Sequence, residues 1–167
     1  MNNIARRLNE NDANELRAIR LESLREHPLE LAADYDDEAA KLLEYWQGRL
    51  QSQMWFGVEA NGALVACASL HIPPGKKLKH NAWVHAMYAR LQGGGAADAL
   101  MDCMEQAARE QGASWLKLAV REGNTRAEAF YRRRGFVPYG REPDSHVVEE
   151  KGYASIELGK VLSAPVA

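Results

Sequence analysis

The sequence lacks most of what would tie a chain to a membrane, to an oxidising compartment or to nucleic acid. No run approaches the ~18 apolar residues of a membrane span. Residues 1–10 are polar and carry no apolar signal core. Cysteine is scarce: Cys67 and Cys103 stand apart in apolar surroundings and form no CxxC pair. Buried free thiols in a reducing cytosol are therefore expected, rather than a disulfide or a metal site. A net charge of −2 gives no general attraction to nucleic acid or anionic lipid. Internal repeats, low-complexity tracts and a linker to a second domain are also missing. The expectation is a cytoplasmic protein with no metal, no nucleic acid and no membrane partner.

What is present reads as an ordinary globular domain. Hydrophobic residues make up 46% and charged residues 26% of 167. A chain of this size buries roughly 68–70% of its unfolded surface, enough for a core without staples. One domain is expected over residues 1–162, with a loose tail over 163–167.

The pattern alternates helices and strands. Ile4 to Leu8 reads as a first strand. Asn11 or Asp12 can cap a helix that buries Ala13, Leu16, Ile19 and Leu24 and stops near His27, because Pro28 disfavours helical geometry before it. An acid-rich connector over 28–37 leads to a second helix over about 37–52, with Leu42, Leu43, Trp46 and Leu50 inward. Two strands, 55–60 and 63–72, flank Asn61-Gly62, a dipeptide that favours a type I′ hairpin turn. The loop after them is basic, with Lys76, Lys77, Lys79 and His80; it reads either as a solvated tip or as a guide for ligand phosphates. Another strand spans 83–89. A helix over 94–111 carries Ala97, Leu100, Met101, Met104 and Ala108 at helical spacing and closes at Gly112. A strand over 115–120 follows. Thr125 and Glu128 fit a capping box that opens a short helix with Ala127, Phe130 and Tyr131 on one face, ended by Gly135. Strands over 136–139 and about 153–161 close the chain.

The stretch from Trp83 to Phe136 carries the chemistry. Its strand turns through Gln92-Gly93-Gly94-Gly95-Ala96-Ala97 into a helix. Such a turn presents unpaired amide protons and the positive end of a helix dipole, which suits a phosphate. Glycine alone is a weak signal, since a flexible turn or close helix packing would use it too. A Walker A loop is excluded because no Gly-Lys-Ser/Thr follows, and the dinucleotide fingerprint fits poorly.

Gln92-x-x-Gly95-x-Ala97, then Asn124-x-x-Ala127, Phe130-Tyr131 and Gly135-Phe136, resembles the two cofactor motifs of the GCN5-related N-acetyltransferase (GNAT) family, in order and at the family's spacing. The resemblance implies an α/β fold: a mixed, mostly antiparallel sheet flanked by about four helices, with a splayed cleft for acetyl-coenzyme A as cosubstrate. It implies that Met87, Tyr88 and Ala89 offer main chain to the pantetheine arm. Amides of Gln92, Gly93, Gly94, Gly95, Ala96 and Ala97 would cradle the pyrophosphate. Asn124, Ala127 and Phe130 would line the cofactor, and Tyr131 would protonate the departing thiolate. One departure stands out: only Ala89, Arg90 and Leu91 separate the Met-Tyr strand end from Gln92, about two residues fewer than the family pattern. That implies an altered strand exit or pyrophosphate grip.

The amine acceptor must lose a proton, so a base is needed. His85 is the candidate on the cofactor strand, with Glu59, His71 and Glu122 as alternatives. Acids of the connector and of the 141–151 loop (Glu30, Asp34, Asp36, Asp37, Glu142, Asp144, Glu149, Glu150) either solvate their loops or favour a cationic acceptor. A small amine, an amino-sugar and a peptide or protein amine stay open, as does a non-catalytic module that only holds coenzyme A. Dimers are common among proteins of this type.

Overall fold

Seven strands form one open sheet in the order β1-β2-β3-β4-β5-β7-β6 in the computed structural model, which describes residues 3–162. In chain order the elements are β1 (Ile4–Arg7), a 3₁₀ turn (Glu10–Asp12), α1 (Ala13–Glu26), α2 (Tyr35–Ala39), α3 (Leu43–Ser52), β2 (Met54–Ala60), β3 (Ala63–His71), β4 (Asn81–Ala89), α4 (Ala96–Glu110), β5 (Trp115–Arg121), α5 (Thr125–Arg133), β6 (Val137–Val148) and β7 (Lys151–Val161). Every neighbouring pair is antiparallel except β4 and β5, which run parallel and are joined through α4. This is the expected α/β class and mixed sheet, with one α-helix more than anticipated. The tail expected over 163–167 lies outside the described residues.

Two apolar layers sandwich the sheet. On one face α1 and α3 pack Leu16, Ile19, Trp46 and Leu50 against Trp55, Leu64 and Cys67. On the other, α4 lays Leu100, Met101 and Met104 over Val58, Ala66 and Leu116. Those three α4 side chains are fully buried, each stabilising by about 1.5–3 kcal/mol relative to exposure. The α4 C-terminus closes as anticipated at Gly112: the Gly112 amide donates to Arg109 O and the Ala113 amide to Ala108 O, which satisfies carbonyls the helix leaves open. Asn61 and Gly62 both take positive φ, as the hairpin turn demands. Cys67 and Cys103 are both free thiols.

Four readings of the sequence are corrected. The helix expected over 37–52 is two helices, α2 and α3, broken at residues 40–42. Asp34 caps α2 through the amides of Asp36 and Asp37, and α2 turns Glu38 inward onto Arg20 and Arg49. The break leaves Leu42 75% exposed instead of inward. Neither Asn11 nor Asp12 caps α1 through its side chain. Asn9 caps the 3₁₀ turn instead, and Asp12 answers the Asn9 amide at 2.8 Å. The short strand expected over 136–139 is a twelve-residue strand, β6, which forms a long hairpin with β7. The basic loop over 76–80 precedes β4, whereas the glycine turn follows it. A nine-residue strand, about 30 Å at ~3.3 Å per residue, separates the two, so these lysines do not guide phosphates to that turn.

Candidate active site

A cleft opens where the parallel pair, β4 and β5, comes apart. β4 and β5 are paired only from Asn81 to Trp83 against Trp115 to Lys117. Beyond that point β5 stays bonded to β7 along its whole length, while β4 stays with β3. The splay leaves β4 backbone from Val84 onward without a partner on one side. A bulge at the same place re-aims its side chains. Ala86 takes φ 57°, and the four residues of β4 from His85 to Tyr88 span what the three residues of β3 from Cys67 to Ser69 span. The extra residue shifts the alternation by one, so Met87 joins the layer under α4 and α5 while Tyr88 joins the layer under α1.

Tyr88 therefore does not aim its ring at the cleft. Its hydroxyl sits 2.9 Å from Glu22 and 2.8 Å from Glu26, and burial followed by these carboxylates raises its pKa far above the ordinary phenol value. Arg90, the next residue but one, bonds Glu22 through Nε and Nη2 at 2.8 and 2.7 Å and the Leu64 carbonyl at 2.6 Å. The shortened turn is thus braced on α1 and β3 at its first residue.

From that brace the chain passes through Gln92 to Gly95 into α4. Gly93 and Gly95 take φ 72° and 76°, a region costly for any residue with a Cβ. A Cβ at Gly93 would meet nothing within 4 Å, and one at Gly95 only Asn3 Nδ2 at 3.3 Å. Close helix packing is therefore not the reason for these glycines; the turn's shape is. α4 has no side-chain cap, which leaves its first-turn amides facing outward without a side-chain acceptor. A backbone cradle of this kind fits a pyrophosphate.

Two cavities meet at the splay. The first, of 390 Å³, is lined by Met87, Tyr88 and Ala89, by Gln92, Gly93, Gly95 and Ala97 of the turn and α4, and by Asn124, Ala127, Phe130 and Tyr131 of α5 and its cap. Of the residues expected around the cofactor, Gly94 and Ala96 are not on this wall. The Gly94 carbonyl accepts from Asn3 Nδ2 at 2.6 Å, and Ala96 is buried in the core. Sequence reasoning missed His27, Leu31, Leu91, Arg126 and Arg133 in the same wall. Arg126 lies inside the Asn124-x-x-Ala127 motif, and its charge was the available signal.

Asn124, not Thr125, caps α5: its Oδ1 accepts from the Ala127 amide at 3.2 Å. The capping box expected of Thr125 and Glu128 does not form. Tyr131 is buried against Phe130 and Phe136 at ring distances of 5.2 and 5.6 Å. Burial alone raises its pKa far above the phenol value, so it stays protonated.

The second cavity, of 470 Å³, lies on the other side of Met87 and Tyr131. His85 is in its wall, as are Arg20, Glu38, Arg49, Arg121, Glu142 and His146. The His85 pKa lies below its ordinary 6.5, first from desolvation and then from His71, whose ring is 6.4 Å away. A lowered value keeps the imidazole neutral near pH 7, the form that accepts a proton. The other candidate bases are elsewhere or occupied. Glu59 pairs with Arg6, Glu122 is held by Arg141 with two contacts of 2.7 Å, and His71, although exposed as His85 is, is not in the wall. His146 was not anticipated: its Nε2 faces the Leu29 carbonyl at 2.8 Å, tying the β6–β7 hairpin to the 28–34 connector.

The acids expected to surround an acceptor mostly do not. Of the eight, only Glu30 and Glu142 line the cavity, and Glu30 is paired with Arg121 at 3.0 Å. Among the described residues no group of His, Cys, Asp and Glu could hold a metal ion, and no helix is long and apolar enough to cross a membrane.

Known proteins of the same shape are numerous. A GNAT-family acetyltransferase from Streptococcus pneumoniae superposes with a TM-score of 0.84 at 20% identity, over 97% of this chain and 100% of that one. yncA from Salmonella typhimurium, whose structure holds its cofactor acetyl-CoA, superposes with a TM-score of 0.78 at 17% identity, over 100% and 98%. A ribosomal-protein-alanine N-acetyltransferase from Brucella melitensis gives 0.77 at 21% identity, over 95% and 99%. No curated protein sequence matches the chain. The sequence model of the acetyltransferase (GNAT) family matches residues 15–136, a span that holds the glycine turn, the splayed strands and the α5 motif, and the chain belongs to that family of acetyl-CoA-dependent acyltransferases.

Proposed function

We propose that this chain is an N-acetyltransferase that moves the acetyl group of acetyl-CoA to a primary amine by direct attack in a ternary complex. The observation that carries the proposal is the meeting of two cavities across Met87, Asn124, Ala127 and Tyr131, where β4 and β5 part. One cavity ends at a backbone anion cradle; the other is lined by polar and charged side chains. Such a pair of chambers suits a thioester in the first and an amine in the second.

Acetyl-CoA supplies the acetyl group as an activated thioester. The turn amides from Gln92 to Ala97 would hold its pyrophosphate, with Arg126 and Arg133 adding positive charge at the rim. The unpaired edge of β4 offers main-chain hydrogen bonds. His85 takes a proton from the amine nitrogen as the new C–N bond forms. Tyr131 gives its hydroxyl proton to the sulfur as the C–S bond breaks. Both groups are in the protonation state the step requires: His85 neutral because its pKa is lowered, Tyr131 protonated because its own is raised. The whole reaction sits in a single domain over residues 1–162.

The shortened turn before Gln92 favours a second reading, a module that binds coenzyme A without turnover. Arg90 argues against a loosened grip, because it fixes the turn to Glu22 and Leu64. Thiol release from acetyl-CoA across a panel of amines, with acetyl-CoA binding followed by calorimetry, separates the two. Binding with amine-dependent thiol release is expected. Binding without release from any amine would select the module, and no binding at millimolar cofactor would reject both.

A further inference from the structure

The amine acceptor's cavity ends in a buried cationic floor, and this floor defines the acceptor more sharply than the acids do. Arg20 of α1 is only 2% exposed and lines the cavity with Glu38 and Arg49. Two guanidiniums share one carboxylate here. Glu38 Oε1 accepts from Arg49 Nη1 at 3.0 Å, whereas Glu38 Oε2 stands 3.6 Å from Arg20 Nε, an ion pair beyond hydrogen-bond reach. Arg20 Nε and Glu38 Oε2 both lack a hydrogen-bond partner among the described residues. Among the described residues each guanidinium, a group with donors only, makes one side-chain hydrogen bond: Arg49 to Glu38, and Arg20 Nη1 to Ser23 Oγ at a long 3.4 Å. The cluster therefore carries surplus positive charge and surplus donors where polar groups are expensive to leave unpaired.

The arrangement is also stiff. The Arg49 guanidinium lies 4.7 Å from the Trp55 ring and 5.4 Å from Trp46, and Arg20 lies 5.8 Å from Trp55. Stacked guanidiniums present their N–H edges in fixed directions, the geometry that grips a carboxylate.

We propose that the acceptor is a small amino carboxylate, of the α-amino-acid type, whose carboxylate is seated by Arg20 and Arg49 while its amine is directed toward His85. The proposal rests on the acetyltransferase reading of the same cleft. At the floor itself, two arginines against Glu38 leave one positive charge, which matches a monoanion better than a phosphate dianion; Arg121 and Glu30 cancel, and Glu142 stands elsewhere in the wall. A polyamine has no carboxylate for this floor, and a peptide N-terminus has none beside its amine.

The test measures kcat/KM for amino acids, for the same compounds as amides or methyl esters, for the decarboxylated amines, for a polyamine and for a peptide. Acetyl-CoA affinity is measured in parallel by calorimetry. Amino acids should be acetylated, and masking or removing the carboxylate should lower kcat/KM by about 10²-fold, since a site built for a polar group rejects the analogue that lacks it. Arg49→Gln should raise KM for the amino acid with little change in kcat or acetyl-CoA affinity, and Arg49→Lys should recover part of the loss. Arg20→Gln should behave alike; because Arg20 is buried, Arg49→Gln carries the test if that variant does not fold. Equal rates with and without the carboxylate, a preference for the polyamine or the peptide, or acetyl-CoA binding with no turnover of any amino acid would each overturn the proposal. Absence of acetyl-CoA binding would instead overturn the acetyltransferase reading on which it rests.

Discussion

The two cavities that meet at the splayed strands are built by opposite means. The cofactor side is mostly local, with a backbone cradle at one end: two short stretches, 87–98 and 124–133, supply nearly all of its wall. The acceptor side is side chains gathered from far apart, including Arg20 of α1, Glu38 of α2, Arg49 of α3, His85 of β4, Arg121 of β5 and His146 of β6. A backbone site places strong local demands on sequence, because a positive φ needs glycine and a helix start needs a cap or a ligand. A side-chain site needs only the right residue at the right end of a folded distance, and that distance is not written locally. This difference predicts that single substitutions on the cofactor side act through conformation, whereas those on the acceptor side act through charge and proton transfer.

The largest effect is expected at Gly95. Gly95→Val puts a β-branched side chain at φ 76°, a strain of about 1–2 kcal/mol, and fills the approach to the turn amides. Acetyl-CoA affinity should fall beyond measurement at millimolar cofactor in a protein that keeps its circular dichroism. Gly94→Ala is the contrast. Gly94 has no positive φ, and its new Cβ would only touch Leu91 Cβ at 3.7 Å, so affinity should change by no more than a few-fold. If the two substitutions behave alike, the turn's conformation is not what binds the phosphates.

Tyr131 stands on the border of both cavities, and Tyr131→Phe asks whether its hydroxyl acts. The hydroxyl makes no hydrogen bond among the described residues, so its removal should cost little stability, while the ring keeps its contacts with Phe130 and Phe136. Turnover should drop by about 10²-fold, within the range for a general acid, with acetyl-CoA affinity shifted only a few-fold. Wild-type kcat in a pre-steady-state measurement that excludes slow product release would reduce Tyr131 to a packing residue.

How much of this was legible follows the same division. The glycine turn, the hairpin at Asn61-Gly62 and the face carrying Ala127, Phe130 and Tyr131 were all readable, because each is a short-range pattern. The bulge at Ala86 was not: nothing marks an alanine for positive φ, and without the bulge the strand alternation puts Tyr88 on the wrong face. The acid-rich connector was readable as composition but not as geometry. Asp34 became a cap, Glu30 an ion-pair partner of Arg121, and Glu38 half of a cluster with residues from two other helices. The floor of the acceptor cavity was invisible because Arg20 and Arg49 are 29 positions apart and look, in sequence, like solvated helix charges.

A smaller effect is expected at His85. Its pKa in the free protein lies below 6.5, so with a substrate whose amine is already neutral kcat/KM should rise with pH along a limb whose midpoint lies below 6.5. His85→Gln should lower kcat by about tenfold or more and abolish that acid limb. An unchanged limb in the variant would assign the titration to another group, His146 being the other imidazole in the wall.

The smallest effect tests the seam between the two regions, the shortened turn itself. Arg90 braces it through Glu22 and the Leu64 carbonyl, and the Arg90 hydrogen bonds are the chief cause of the lowered Glu22 pKa. A carboxylate whose folded pKa is depressed contributes stability that is complete above its unfolded value of about 4.5 and is lost as pH falls through the folded one. The pair is about one-third exposed, so its contribution is on the order of 1 kcal/mol at most. Arg90→Ala should therefore lower Tm by about 2–4 °C at pH 7, and the gap from wild type should close as pH drops below 4. Acetyl-CoA affinity should weaken only a few-fold, because the turn loses a brace and not a ligand. An unchanged Tm with affinity reduced more than about tenfold would reverse that assignment: Arg90 would then grip the cofactor's phosphates directly. The two measurements together decide whether the turn's missing residues are compensated by the fold or by the cofactor.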